Sequence, residues 1–239
     1  MKISEEKTVA DLVTENIKTA HVFKKYGIDF CCGGGVSVKK ACDKKGVDFS
    51  TIEKELLEVD QELSKATNYD AWNLSFLIDY IVNVHHTYVE ESIPLLIQYA
   101  NKVEKVHGKQ HPELVKINIF FTEVANELAL HLTKEELVLF PYIKQLVIAK
   151  EKGNKLEVPH FKTVNNPISM MEKEHENAGD IFKEIARLTH HYSPPEGACN
   201  TFKALYAKLE EFEQDLHQHI HLENNILFPK AKLLEKEIV

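Results

Sequence analysis

The pattern His-x-x-x-Glu-x-x-x-Leu-Phe-Pro occurs twice, as HLTKEELVLFP at residues 131–141 and as HIHLENNILFP at residues 219–229. The copies are 88 residues apart. Their fixed polar positions are metal ligands by type, not packing residues. On a helix, His131 and Glu135 stand about one turn apart, roughly 6 Å of rise, and project from one face. His219 and Glu223 repeat that geometry. A neutral imidazole beside a carboxylate suits iron, manganese or zinc.

The chain has the ordinary make-up of a soluble globular protein, with 44% hydrophobic and 28% charged residues, so a packed core is expected. A formal net charge of −8 argues against a nucleic-acid partner, which favours a basic stripe. No apolar run approaches the ~20 residues needed to span a bilayer, and no membrane partner is expected. The start, MKISEEKTVADLV, lacks the apolar centre of a signal peptide, so a cytoplasmic location is the expectation. Four Cys are too few and too unevenly placed for a disulfide scaffold.

The expected fold class is all-α. A small helical module, residues 1–65, precedes an antiparallel four-helix bundle, residues 70–239. In the module, the apolar pattern predicts a helix over Val9–Lys25, with Thr8 and Asp11 as its capping pair and Gly27 past its end. Ser37 caps a short helix to Lys45, stopped by Gly46. Ser50 and Glu53 suggest a capping box for a helix to about Lys65. Ala66–Asp70 reads as a linker or turn. The bundle helices are expected near Trp72–His107, Pro112–Lys150, Pro167–Tyr192 and Pro195–Lys236, separated by Gly and Pro signals. Pro94 lies inside the first, where a kink or short break is expected.

The apolar seams decide which histidines face inward. In the last helix Leu209, Phe212, Leu216, His219, Glu223 and Ile226 keep three- and four-residue steps, which leaves His217 and His221 on a polar face. Leu114, Ile117, Phe121, Val124, Leu128, His131, Glu135 and Val138 form the same stripe in the second helix. Ile168, Met171, His175, Ala178, Phe182 and Ile185 form it in the third. In the first, Ile78, Val82, His86, Val89 and Ile93 fit, with His85 a competitor aligned with Leu74, Ile78 and Ile81. Each hairpin thus offers one isolated His and one His-x-x-x-Glu. A lone inward His is ordinarily a satisfied core histidine. Four His and two Glu converging in an apolar bundle would cost several kcal/mol each without partners, and bound metal resolves that cost. Six ligands exceed one tetrahedral site, which points to two metals. Ligand identity alone does not choose iron.

These residues resemble the hemerythrin-like domain. The whole chain resembles the iron–sulfur cluster repair di-iron proteins, the RIC family. The markers are DFCCGGG at 29–35, VHHTYVEESIP at 84–94, HLTKEELVLFP, EKEHENAG at 172–179 and HIHLENNILFP. The resemblance implies a hemerythrin-like bundle with a non-haem di-iron centre. His86, His131, His175 and His219 are its implied terminal ligands, and Glu135 and Glu223 its bridging carboxylates. Oxygen-carrying hemerythrins use five His, so the balanced four-His pattern favours the repair family. The implied function is repair of iron–sulfur clusters damaged by oxidative or nitrosative stress, by supplying iron. Damaged iron–sulfur proteins are the implied partners, with nitric oxide or oxygen as small ligands. A di-iron nitric oxide or peroxide reductase, or an oxygen or nitric oxide sensor, are the alternatives. The sequence leaves open whether the protein is an enzyme, which reductant serves it, and whether it is a homodimer.

Cys31 and Cys32 adjoin three glycines, which allow unusual backbone angles. The plain reading is a loop with two buried thiols; the functional reading is a redox or metal-transfer site, with Cys42 near in sequence. Cys199 opens the last helix and reads as structural. Glu127, four residues before His131, and Glu174, beside His175, are candidates to accept a hydrogen bond from a ligand or to line a path to the metals. For Glu174 a solvated helix position is the competing reading. Lys102, Lys105, Lys109 and Lys116 form no patch.

Overall fold

The computed structural model describes residues 3–61 and 67–239. Among them the regular secondary structure is helical; one isolated antiparallel bridge, Thr8–Ser37, is the only β-type pairing. The helices are α1 Val9–Glu15, α2 Thr19–Lys25, α3 Val38–Lys45, α4 Phe49–Gln61, α5 Leu74–Tyr80, α6 Thr87–His107, α7 Glu113–Lys134, α8 Phe140–Lys152, α9 Asn165–Leu188, α10 Asn200–Leu222 and α11 Phe228–Ile238. Widened π-helical turns join α5 to α6 (Ile81–His86), α7 to α8 (Glu135–Leu139) and α10 to α11 (Glu223–Leu227). No helix among the described residues is long and apolar enough to cross a membrane.

The chain divides into two compact units, Met1–Leu77 with Leu146–Leu156 and Gln218–Val239, and Ile78–Gln145 with Glu157–His217. In the second unit α6 packs on α7 and α7 on α9. Phe121, Phe182 and Phe212, all fully buried, meet with ring centroids 5.7 and 5.6 Å apart. These are the apolar seam positions of the bundle helices, buried as a helical period requires. In the first unit α2 packs on α4, and α1 packs against the turn Glu223–Leu227.

Thr8 and Asp11 form the expected capping box on α1, and Ser37 caps α3, which ends at left-handed Gly46. The expected single helix over Val9–Lys25 is instead two. Asn16 interrupts it: its side-chain oxygen accepts from the Lys18 amide at 3.1 Å and its carbonyl accepts from Thr19 at 3.0 Å, the local competition that keeps Asn out of helix interiors. The α4 helix starts one residue before Ser50, where the Asp48 carboxylate accepts from the Ser50 amide; the last residues of the expected helix, 62–65, lie outside the described residues. The α6 helix runs through Pro94 unbroken.

The π turns are the feature a 3.6-residue period does not foresee. In two of them the Phe amide of Leu-Phe-Pro reaches five residues back, from Phe140 to the Glu135 carbonyl and from Phe228 to the Glu223 carbonyl. Pro141 and Pro229 follow at once. In a regular α-helix a proline ring collides with the carbonyl four residues back; the widened turn ahead of it relieves that collision. The extra residue shifts the register. Val138, expected on the inward seam, is 38% exposed, while Leu139 is 1% exposed. In the first rod the turn Ile81–His86 buries both His85 and His86 and leaves Val82 and Ile93 half-buried.

Candidate metal centre

In the bundle unit, three histidines gather on one carboxylate. His131 sits on the last turn of α7, and its Nε2 is 3.3 Å from Glu135 Oε2. His86, at the end of its π turn, brings Nε2 to 3.5 Å from the same oxygen. His175, midway along α9, places its Nε2 3.0 Å from His131 Nε2. All four side chains are at most 2% exposed. His131, Glu135 and His175 each offer a donor atom within 4.8 Å of the others. Two imidazole nitrogens, of His131 and His175, and a Glu135 oxygen facing one another away from water form a donor set that fits a cation of the iron–zinc class, and His86 reaches the same carboxylate.

The far sides of two of these rings are fixed. His86 Nδ1 lies 2.7 Å from Glu136 Oε1, and His131 Nδ1 lies 2.9 Å from Glu174 Oε2. A carboxylate behind a ligating imidazole holds the proton on Nδ1 and leaves the Nε2 lone pair for a metal. Glu174 also pairs with Lys134. The His131 hydrogen bond, with Lys134 in support, outweighs partial burial and holds its carboxyl down to about 2. Glu174 is therefore held, not merely solvated. Glu127 is exposed and accepts from Asn177 Nδ2 at 2.6 Å. Glu136 was not singled out from the sequence; its role becomes legible only once the widened turn is known.

His85 is also buried, but its Nδ1 lies 2.9 Å from Asp215 Oδ1 and its ring meets Tyr80 edge-on at 5.5 Å. Of the adjacent pair, His86 is the one against Glu135.

In the other unit, His219 Nε2 lies 3.1 Å from Glu223 Oε1, one helical turn apart and both at most 1% exposed. His221, expected on a polar face, is instead 0% exposed. The N-terminal module covers that face. Thr14 Oγ1 comes within 3.4 Å of His221 Nε2, and the Phe30 ring within 6.1 Å. Burial holds the imidazole neutral, with its pKa pushed down to about 4. Asn225 Nδ2 lies 3.1 Å from His221 Nδ1 and donates to the Cys31 carbonyl at 3.1 Å. The i, i+4 spacing of His221 and Asn225 was the only sequence signal of this clamp. His217 is half-buried.

The thiol loop belongs to the same unit. Cys31 is 5% exposed and Cys32 half-buried, with Sγ atoms 3.9 Å apart. Asp29 Oδ1 accepts from both cysteine amides at 3.0 Å and from the Cys31 thiol at 3.4 Å. The hydrogen bond to Cys32 and burial push the Cys31 thiol well above its ordinary range. Cys42 is buried, which raises its thiol as well. Cys199 is exposed, with His107 Nε2 3.3 Å from its sulfur.

Residues 77–231 match the hemerythrin HHE cation binding domain, and residues 5–60 match a domain of unknown function, DUF542. The chain is 37% identical over 226 residues to the iron-sulfur cluster repair protein YtfE of Musicola paradisiaca, covering 95% of this chain and 96% of that protein. The chain belongs to the iron–sulfur cluster repair family. A probable iron-sulfur cluster repair protein of Haemophilus influenzae is 38% identical over 212 residues, covering 88% of this chain and 89% of that one. YtfE of Yersinia pseudotuberculosis is 35% identical over 210 residues, again covering 88% and 89%. In this family member the matched cation-binding domain contains all six inward His and Glu residues.

Proposed function

We propose that this protein repairs iron–sulfur clusters damaged by oxidative or nitrosative stress, using a two-iron centre as the source of iron. Terminal ligation falls to His86, His131, His175 and His219, and bridging to Glu135 and Glu223. The observation that carries the reading is the sharing of Glu135 Oε2 by two imidazole nitrogens, at 3.3 and 3.5 Å, in a chain related along nearly its whole length to named repair proteins. A carboxylate oriented toward two imidazoles is suited to span two ions. The second His-x-x-x-Glu copy supplies the matching carboxylate.

When bound, the metal pair supplies exchangeable weak-field iron, open to small ligands such as nitric oxide or oxygen. The protein's own groups do the rest. Glu136 and Glu174 keep the protons of His86 and His131 on Nδ1. Burial excludes water from the carboxylates. Residues 70–239 form the metal-binding domain, and residues 1–65 carry Cys31 and Cys32, soft sulfur ligands suited to iron in transit. Damaged cytoplasmic iron–sulfur proteins are the partners, and a homodimer is the assembly to test.

The test is anaerobic purification, metal quantification and Mössbauer spectroscopy, followed by reactivation of a nitric-oxide-damaged dehydratase. The expected result is about two coupled irons per chain, consumed as the dehydratase recovers. One iron per chain, or zinc alone after iron-replete growth, would sink the two-iron reading. Reactivation without iron loss would sink the donation reading.

A further inference from the structure

We propose that Cys31 and Cys32 are a peroxide-sensitive thiol pair that closes to a vicinal disulfide, and that closure loosens the loop's hold on Asn225. The two sulfurs are already 3.9 Å apart. Cys32 is half-buried, the more exposed of the two, and Cys31 is 5% exposed. This division suits a first attack by Cys32 and a resolving attack by Cys31.

The oxidant is a hydroperoxide. The Cys32 thiolate attacks its terminal oxygen; the O–O bond breaks, and the leaving alkoxide or hydroxide takes a proton. Cys32 is then a sulfenic acid. Cys31 sulfur attacks Cys32 sulfur; the S–S bond forms, the S–O bond breaks, and the hydroxide leaves as water. The Asp29 carboxylate, 3.4 Å from Cys31 Sγ, is placed to receive the Cys31 proton. Two thiols and one hydroperoxide give one disulfide, one alcohol (or water) and one water. The thiols lose the two electrons that the peroxide gains.

The ring this makes is strained, and that makes it reversible. Adjacent Cα atoms stand 3.8 Å apart across a trans peptide, below the usual disulfide span of about 4.4–6.8 Å. Strained disulfides are the readily reduced ones. Bringing the sulfurs to a bond of about 2 Å turns the peptide between the two cysteines. That peptide holds the Cys31 carbonyl, which accepts from Asn225 Nδ2 at 3.1 Å, and the Cys32 amide, which donates to Asp29 at 3.0 Å. Turning it strains both bonds. The loop has room downstream, since a Cβ at Gly35 would meet nothing within 4 Å. One position nearer the cysteines the chain is tight, since a Cβ at Gly34 would fall 2.4 Å from the Phe30 carbonyl oxygen. Through the Cys31 carbonyl the change reaches Asn225, two residues past Glu223.

The pairing needs no metal, so its test stands apart from the two-iron reading. Full-length protein as isolated, carrying Cys199→Ser to prevent cross-linking, is treated with equimolar hydrogen peroxide. Peptide mass mapping should show the loss of two hydrogens in the peptide holding residues 31 and 32, restored by dithiothreitol. In Cys31→Ser, dimedone should trap a sulfenic acid at Cys32. In Cys32→Ser, Cys31 should oxidise at least tenfold more slowly. Hydrogen exchange across 222–227 should quicken at least fivefold on oxidation. Sulfinic acid at Cys32 with Cys31 still free, or a disulfide to buried Cys42, would overturn the pairing. Unchanged exchange across 222–227 would overturn the coupling. The measurements on the Cys199→Ser protein, with both loop cysteines intact, decide both points even if a loop-cysteine variant misfolds.

Discussion

The widened turn at Glu135–Leu139 can be tested by a pair of neighbouring substitutions. A regular helix places residue 138 on the seam three positions after Glu135. The π turn delays the seam by one residue, so that Leu139 is 1% exposed and Val138 38% exposed. Leu139→Ala removes a fully buried side chain and leaves a cavity, a change that costs about 2–5 kcal/mol. Val138→Ala trims a side chain at an exposed surface position, and such changes usually stay within about 0.5 kcal/mol. In a protein of this size 1 kcal/mol moves the melting midpoint by roughly 2–4 °C. A loss near 3 kcal/mol for Leu139→Ala therefore lowers Tm by roughly 6–12 °C, against one or two degrees for Val138→Ala. Both variants are compared with wild type at equal metal loading, by calorimetry and by urea titration. A Val138→Ala loss equal to or larger than that of Leu139→Ala would mean that the helix keeps regular register past Glu135. The placement of Glu135 against two imidazoles would then have to be rebuilt.

His219→Ala should abolish most bound iron. His217→Ala should retain it, and His221→Ala should retain iron but lower Tm, because that ring is fully buried yet turned to Thr14 and Asn225; equal iron loss in all three would refute the register. His86→Ala should lose iron, while His85→Ala keeps it, since His85 is held on Asp215; the reverse pattern, read by iron content, would exchange their roles. Tyr206 is 2% exposed and burial pushes its phenol up to about 12. With the folded pKa above an unfolded value near 10, its contribution is full below pH 10 and lost as pH rises from 10 to 12, by roughly 2–3 kcal/mol. Tyr206→Phe should flatten that part of the stability–pH curve, and an unchanged slope would place the alkaline loss elsewhere.

What could be read in advance followed from local chemistry. The Thr8–Asp11 box, the Ser37 cap and Gly46 each act within a few residues, and the pattern shows them. The ligand candidates were legible because polar residues on an apolar seam have few structural reasons to be there. Three things were not legible. Asn16 looks like an ordinary helix residue until its side chain is seen bonding the Lys18 amide. The π turns break the assumption of a constant 3.6-residue period, and the Val138 reading failed there. His221 looked solvent-facing because its cover, Thr14 and Phe30, comes from about two hundred residues earlier; no periodicity reports a surface supplied by another segment.

The four helical segments that carry the proposed ligands are unequal in stiffness. Glu135, Glu223 and His86 each lie in a widened turn, whereas His175 sits inside an unbroken α-helix of 24 residues. Turns with poorer hydrogen-bond geometry yield more readily than regular helix. His175 thus serves as a fixed post, and the carboxylates hang on compliant mounts. If Glu135 and Glu223 hold metal as proposed, small rotations of those side chains would take up changes in charge or occupancy, with no need for any helix to slide. The proposed role, gripping an ion and later surrendering it, would gain from having its tightest anionic grips on its softest supports.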